Sequence, residues 1–155
     1  MCPRNGETVD VFNFDGTEGV TATCNIDESD GTRIVDFTLG PNSGQLMAVS
    51  GIVTSTEGGT VRGSSCRITV IDDANNFGGP VEGLCGANAP SEAQPCQIGP
   101  ITFNAAGEDG PELRTTVLCS HLPSPSNPDL LQRDITRPMA PTEPASIRIV
   151  NCPGI

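Results

Sequence analysis

Val20-Thr21-Ala22-Thr23-Cys24-Asn25-Ile26 alternates four apolar residues with three polar ones. Side chains on an extended strand point to opposite faces in turn, so this stretch offers one face to a core and the other to water. An amphipathic helix would repeat its apolar positions at about every third or fourth residue, and this segment does not. The same period of two returns in Val35, Phe37 and Leu39, in Cys66, Ile68 and Val70, in Leu113, Thr115, Val117 and Cys119, and in Ile147 and Ile149. Cys24, Cys66 and Cys119 lie on the apolar side of their runs, which predicts sulfurs pointing inward, where bridges between sheets form.

Turn chemistry separates these runs. Asp15-Gly16, Asp30-Gly31, Gly40-Pro41-Asn42, Gly58-Gly59, Asn76 to Pro80 and Asp109-Gly110-Pro111 all favour tight reversals. About eight short strands at this spacing predict an all-β fold, an antiparallel β-sandwich of jelly-roll or Ig-like type, stapled by disulfides. The 155 residues fit a single domain over 1–155. The best helical segment, Pro128 to Arg133, is too short for more than one or two turns. A strand around Val9 to Phe14 would be placed to pair with a neighbouring copy by strand addition. Two long loops are expected. Gly86 to Pro95 is small and polar, and the proline-rich 121–144 stretch carries Pro123, Pro125, Pro128, Pro138, Pro141 and Pro144.

The seven cysteines are Cys2, Cys24, Cys66, Cys85, Cys96, Cys119 and Cys152, and no C-x-x-C pair suggests a zinc or redox motif. Spread over a chain with a thin apolar content, they read as a disulfide framework and an oxidising compartment. The foremost pairing expected is Cys85 with Cys96, closing the 86–95 loop. Cys119 with Cys152 would close the proline-rich loop, with Cys66 competing for either partner. Cys2 is the odd thiol, open to an extra disulfide or to the acyl chains that bacterial lipoproteins carry on a cysteine at the mature N-terminus. Met1-Cys2-Pro3-Arg4-Asn5-Gly6 passes straight into polar residues with no apolar leader, so export is expected to be encoded upstream.

Nineteen acidic residues against eight arginines and no lysine give a formal charge of −11. The arginines are scattered, and neither Trp nor Tyr is present, which argues against nucleic acid as a partner. No stretch is apolar enough for a membrane span, so a membrane would be reached only through a lipid on Cys2. His121 is the single histidine, and any Ser-His or Cys-His mechanism would have to run through it. It sits in Cys119-Ser120-His121-Leu122-Pro123 with no G-x-S-x-G elbow, and an exposed or hydrogen-bonded loop histidine is the expectation. No catalytic residues are assigned, and no enzyme is expected.

Acidic turns gather side-chain oxygens at Asn13 to Gly16, Asp27 to Gly31 and Asp72 to Asn76. Asp72, Asp73, Asn75 and Asn76 form the calcium candidate, with no other cofactor expected, although the full EF-hand pattern is missing and such residues are also hairpin vocabulary. Function is therefore read as a non-enzymatic extracellular or cell-surface structural module, either lipoprotein-like or an assembly subunit, with protein partners or self-assembly. The alternative is a ligand- or glycan-binding β-sandwich module, with or without calcium.

Overall fold

The computed structural model describes residues 11–14, 22–42, 45–63, 65–72, 75–108, 110–136, 142–150, 152 and 154–155. Among these residues the fold is all-β, without a helix, in two sheets. No helix among them is long and apolar enough to cross a membrane.

One sheet is a plain meander. Its strands β2 (Ala22–Ser29), β3 (Thr32–Asn42), β4 (Gln45–Ser55), β5 (Arg67–Asp72) and β6 (Asn75–Gly78) pair antiparallel in chain order. The β2–β3 hairpin turns on Asp30 and Gly31, both at positive φ (48° and 78°), between the Ser29–Thr32 pair. This is the two-residue reversal that Asp-Gly favours, because glycine adopts that region without steric cost. In mid-sheet, β4 slips register. Val35 pairs with Ile52 but Phe37 with Val49, so Ser50 and Gly51 share the place of one residue. Gly51 takes φ +73° there, and its amide donates to Asp36 Oδ1 at 2.8 Å. The bulge lets Met47, Val49 and Ile52 all face the core despite the broken period.

The other sheet is mixed. It contains β1 (Val11–Phe14), β7 (Cys85–Gly86), β8 (Cys96–Ile98), β9 (Thr102–Asn104), β10 (Glu112–Pro123), β11 (Gln132–Ile135) and β12 (Ala145–Val150). The long β10 organises it. Cys119 pairs with Cys96 on one edge and Ile135 on the other, while Glu112 pairs with Asn104 and Val150 in the same way. Thus β8 and β9 are two pieces of one lane, and β11 and β12 two pieces of the opposite lane. β1 extends the sheet parallel to β12, and β7 extends it parallel to β8.

Inward residues from both sheets form one apolar cluster, with Phe37, Leu39, Ile52 and Ile68 from the meander meeting Leu113, Val117, Leu122 and Ile147 from the mixed sheet. Each side chain of this size contributes roughly 1.5–3 kcal/mol on full burial. The sheets are also tied along both borders. On one side Gly59 and Ile101 exchange backbone hydrogen bonds (2.8 and 2.9 Å), and Cys66 bridges Cys85. On the other, Cys24 of β2 is bonded to Cys152 beyond β12, and Gly154 packs against the Ile26 carbonyl.

Several expectations change. Five consecutive strands remain in one sheet, whereas jelly-roll and Ig-like windings would pass the chain between sheets, and two of the pairings are parallel. The 121–144 stretch is not a bare loop, because β10 extends through Pro123 and β11 returns to pair with it. Pro128 to Arg133 makes a single turn, with Leu131 N–H donating to Asn127 O at 2.9 Å, and then enters β11. The N-terminal strand, β1, has one edge paired with β12 of its own chain.

The disulfides use all six of Cys24, Cys66, Cys85, Cys96, Cys119 and Cys152, but in other combinations: Cys24–Cys152, Cys66–Cys85 and Cys96–Cys119. Cys85 and Cys96 are indeed register neighbours in β7 and β8, yet each bonds to its opposite neighbour. Four cysteines therefore stand in one row across the lanes, 66, 85, 96 and 119, joined as two adjacent pairs. Loop length, the basis for expecting Cys85–Cys96 and Cys119–Cys152, says nothing about which edge of a strand faces which neighbour. Cys2 lies outside the described residues.

Candidate functional site: the groove at His121

Up to Cys119, β10 alternates strictly, with Leu113, Thr115, Val117 and Cys119 all buried. The period then breaks. Register passes from Cys119–Ile135 to Leu122–Arg133, so Ser120 and His121 together oppose Asp134 alone. His121 adopts φ +59°, a left-handed conformation that costs an ordinary residue about 1–2 kcal/mol. Its surroundings hold it there. The His121 amide donates to Asp134 Oδ1 at 2.8 Å, and the Ser120 amide donates to the Pro95 carbonyl at 2.9 Å. The Cys96–Cys119 bond sits immediately behind. Strain retained in this way is typical of functional positions.

The turned backbone brings neighbouring side chains together. Ser120 Oγ and His121 Nδ1 are 2.9 Å apart, and the ring has no other hydrogen-bond partner among the described residues. Both line a groove of about 580 Å³. One wall is Pro90, Ser91 and Glu92, from the 86–95 excursion, and the other is Pro123, Pro128, Asp129 and Gln132. The first wall is fixed by a tight turn in which Ser91 N–H donates to Gln94 O and Gln94 N–H to Ser91 Oγ, at 2.9 and 3.1 Å. The second is fixed by Gln132 Nε2 donating to Pro128 O at 3.1 Å. The two excursions read as loops thus form the two sides of one concavity.

Ser120 and His121 resemble a nucleophile and base, but among the described residues the groups beside them are committed elsewhere. Asp134 binds the backbone of His121 rather than its ring, and the two amides nearest Ser120 Oγ, its own and that of His121, already have acceptors. An oxyanion needs donors free to receive it.

At the far end of β10, Glu112 is buried and accepts hydrogen bonds from Arg114 (2.6 Å) and Arg148. The two arginines are directly opposed in the β10–β12 register, and Glu112 relieves their repulsion. Burial pushes the Glu112 carboxyl up, but the hydrogen bonds from Arg114 and Arg148 outweigh it and bring the pKa below 4.5.

The calcium candidate falls partly outside the described residues: Asp73 wholly, and the side chain of Asp72. Asn75 and Asn76 are exposed and pair with Asp72 and Ile71 across the β5–β6 hairpin. Among the described residues no three His, Cys, Asp or Glu side chains gather as a metal cluster. The turn Asp27 to Gly31 is the β2–β3 hairpin, remote in the sheet order from β10. Sequence reading singled out His121 but missed Ser120, Glu92, Asp129 and Gln132 as its companions. The one signal available was a lone Ser-His pair at a strand end followed by prolines, and it points to a turn as readily as to a site.

Compared with known proteins, the chain matches no family model, no curated protein and no solved structure.

Proposed function

We propose that this chain is a non-enzymatic extracellular or cell-surface module, a single disulfide-stapled β-sandwich over 1–155, that binds a ligand in the groove at His121. The observation carrying this reading is the left-handed His121, held by Asp134 and backed by the Cys96–Cys119 bond, at the floor of a concavity with two braced walls. A strained residue that its neighbours over-determine supports a preformed recognition site more than a surface of mere support. Three disulfides in a small β protein are consistent with an extracellular location. Calcium plays no part in this reading, and a lipid on Cys2 would add tethering alone.

The test is amide-resolved NMR titration of the full chain with panels of oligosaccharides and short peptides. Shifts concentrated at residues 90–92 and 120–132 are the expected result. Specific binding that shifts only the outer face of the meander would contradict the groove.

The assembly-subunit reading keeps one observation in its favour: β1 ends the mixed sheet, and no strand among the described residues pairs with its outer edge. Light scattering after size exclusion, over a wide concentration range, decides between them. A monomer throughout supports the binding module, and growth of larger species with concentration supports assembly.

A further inference from the structure

Among the described residues that line the groove, charged acceptors are present and charged donors such as Arg are not. Its three prolines, Pro90, Pro123 and Pro128, have no N–H to offer. The amides of Ser91, Ser120 and His121 are already donated, to Gln94 O, Pro95 O and Asp134 Oδ1. One hydrogen of the Gln132 amide is committed to Pro128 O. By contrast, Glu92 and Asp129 are both exposed on the groove walls, and neither has an ion-pair or hydrogen-bond partner among the described residues. No arginine among the described residues lines the groove. Carboxylates only accept, whereas ammonium and guanidinium groups only donate.

Resting on the binding reading above, we propose that the groove takes a basic ligand, seating a guanidinium or ammonium group between Glu92 and Asp129 on the Ser120–His121 floor. Such a cation donates to both carboxylates and neutralises charges that have no partner among the described residues. A neutral sugar's hydroxyls could also donate to these carboxylates, but they bring no charge to neutralise them. The same chemistry is available from an arginine or lysine of a peptide and from a free polyamine.

The experiment titrates the full chain, by amide-resolved NMR at near-physiological salt, with four probes: an arginine-containing tripeptide, its citrulline counterpart, spermidine and a neutral trisaccharide. At this ionic strength the Debye length is about 8 Å, so the overall negative charge is largely screened and local contacts dominate. The arginine peptide is expected to shift residues 90–92 and 120–132 and to bind at least about tenfold more tightly than the citrulline peptide, roughly 1.4 kcal/mol. E92Q/D129N should abolish that preference. D27N/E57Q, which removes the same charge from exposed positions outside the groove, should keep it. Tighter binding of the peptide than of spermidine identifies a peptide source, and the reverse a polyamine. Equal binding of the citrulline peptide, or tighter binding of the trisaccharide at the groove, would overturn the cation while sparing the groove. Arginine-peptide binding that shifts residues elsewhere, or no response to any probe, would overturn the cation, and the former would overturn the groove as well.

Discussion

His121 and Glu112 mark opposite ends of β10, and each carries a distinct energetic signature. Because His121 holds φ +59° as a residue with a Cβ, replacement by glycine relieves strain while loosening the unfolded chain. H121G should therefore be as stable as the parent or up to about 1 kcal/mol more stable in urea denaturation. It should also lose groove binding, because the imidazole is gone. A loss of more than about 1 kcal/mol would mean that the ring contributes packing not evident in its exposed position. Glu112 behaves oppositely. Its folded pKa lies below 4.5, so its contribution is fully present above the unfolded value and is lost as pH falls through the folded value. E112Q should cost about 1–2 kcal/mol at neutral pH, a modest figure because the Arg114 side chain is 63% exposed. It should also flatten the fall in stability below about pH 4.5, measured by denaturation at a series of pH values.

Strands with an unbroken period were legible in the sequence, and strands with an interruption were not. Val35 to Leu39, Cys66 to Val70, Leu113 to Cys119 and Ile147 to Ile149 all have the buried face that their alternation implies. β4, in contrast, went unread over its 11 residues, because the bulge at Ser50 and Gly51 shifts its apolar positions from odd to even numbers. A mid-strand glycine was the available clue. β7, β8, β9 and β11 have only two to four residues each, too few for any period to emerge. Their existence depends on β10 supplying two edges, which is a tertiary fact. The groove was hidden for the same reason, since its walls are 30 or more residues apart in sequence and meet only across that strand. The bulge gives its own expectation. Alanine at Gly51 would hold φ +73° with a Cβ 2.9 Å from the Ser65 carbonyl oxygen, so G51A should cost about 2 kcal/mol or more in urea denaturation. D36N, whose amide oxygen can still accept the Gly51 N–H, should cost less than half of that.

Two β-sheets that share one apolar cluster are fastened at both borders by covalent bonds, and this fastening is what the reading of the whole molecule depends on. Cys24–Cys152 closes a separation of 128 residues, against 19 for Cys66–Cys85 and 23 for Cys96–Cys119. Loop-closure entropy then assigns about 5 kcal/mol to the first and about 3 kcal/mol to each of the others. C24S/C152S should consequently lower thermal stability more than C66S/C85S does, as followed by circular dichroism. C96S/C119S has a different consequence: it removes the brace behind Ser120 and His121 and should weaken groove binding beyond its effect on stability. The most direct examination is peptide mapping of the unreduced native protein by mass spectrometry, with free thiols alkylated first. Cross-linked peptides joining Cys24 to Cys152, Cys66 to Cys85 and Cys96 to Cys119 are the expected result. A Cys85–Cys96 peptide, or alkylation of these six sulfurs, would contradict the architecture and the compartment inferred from it.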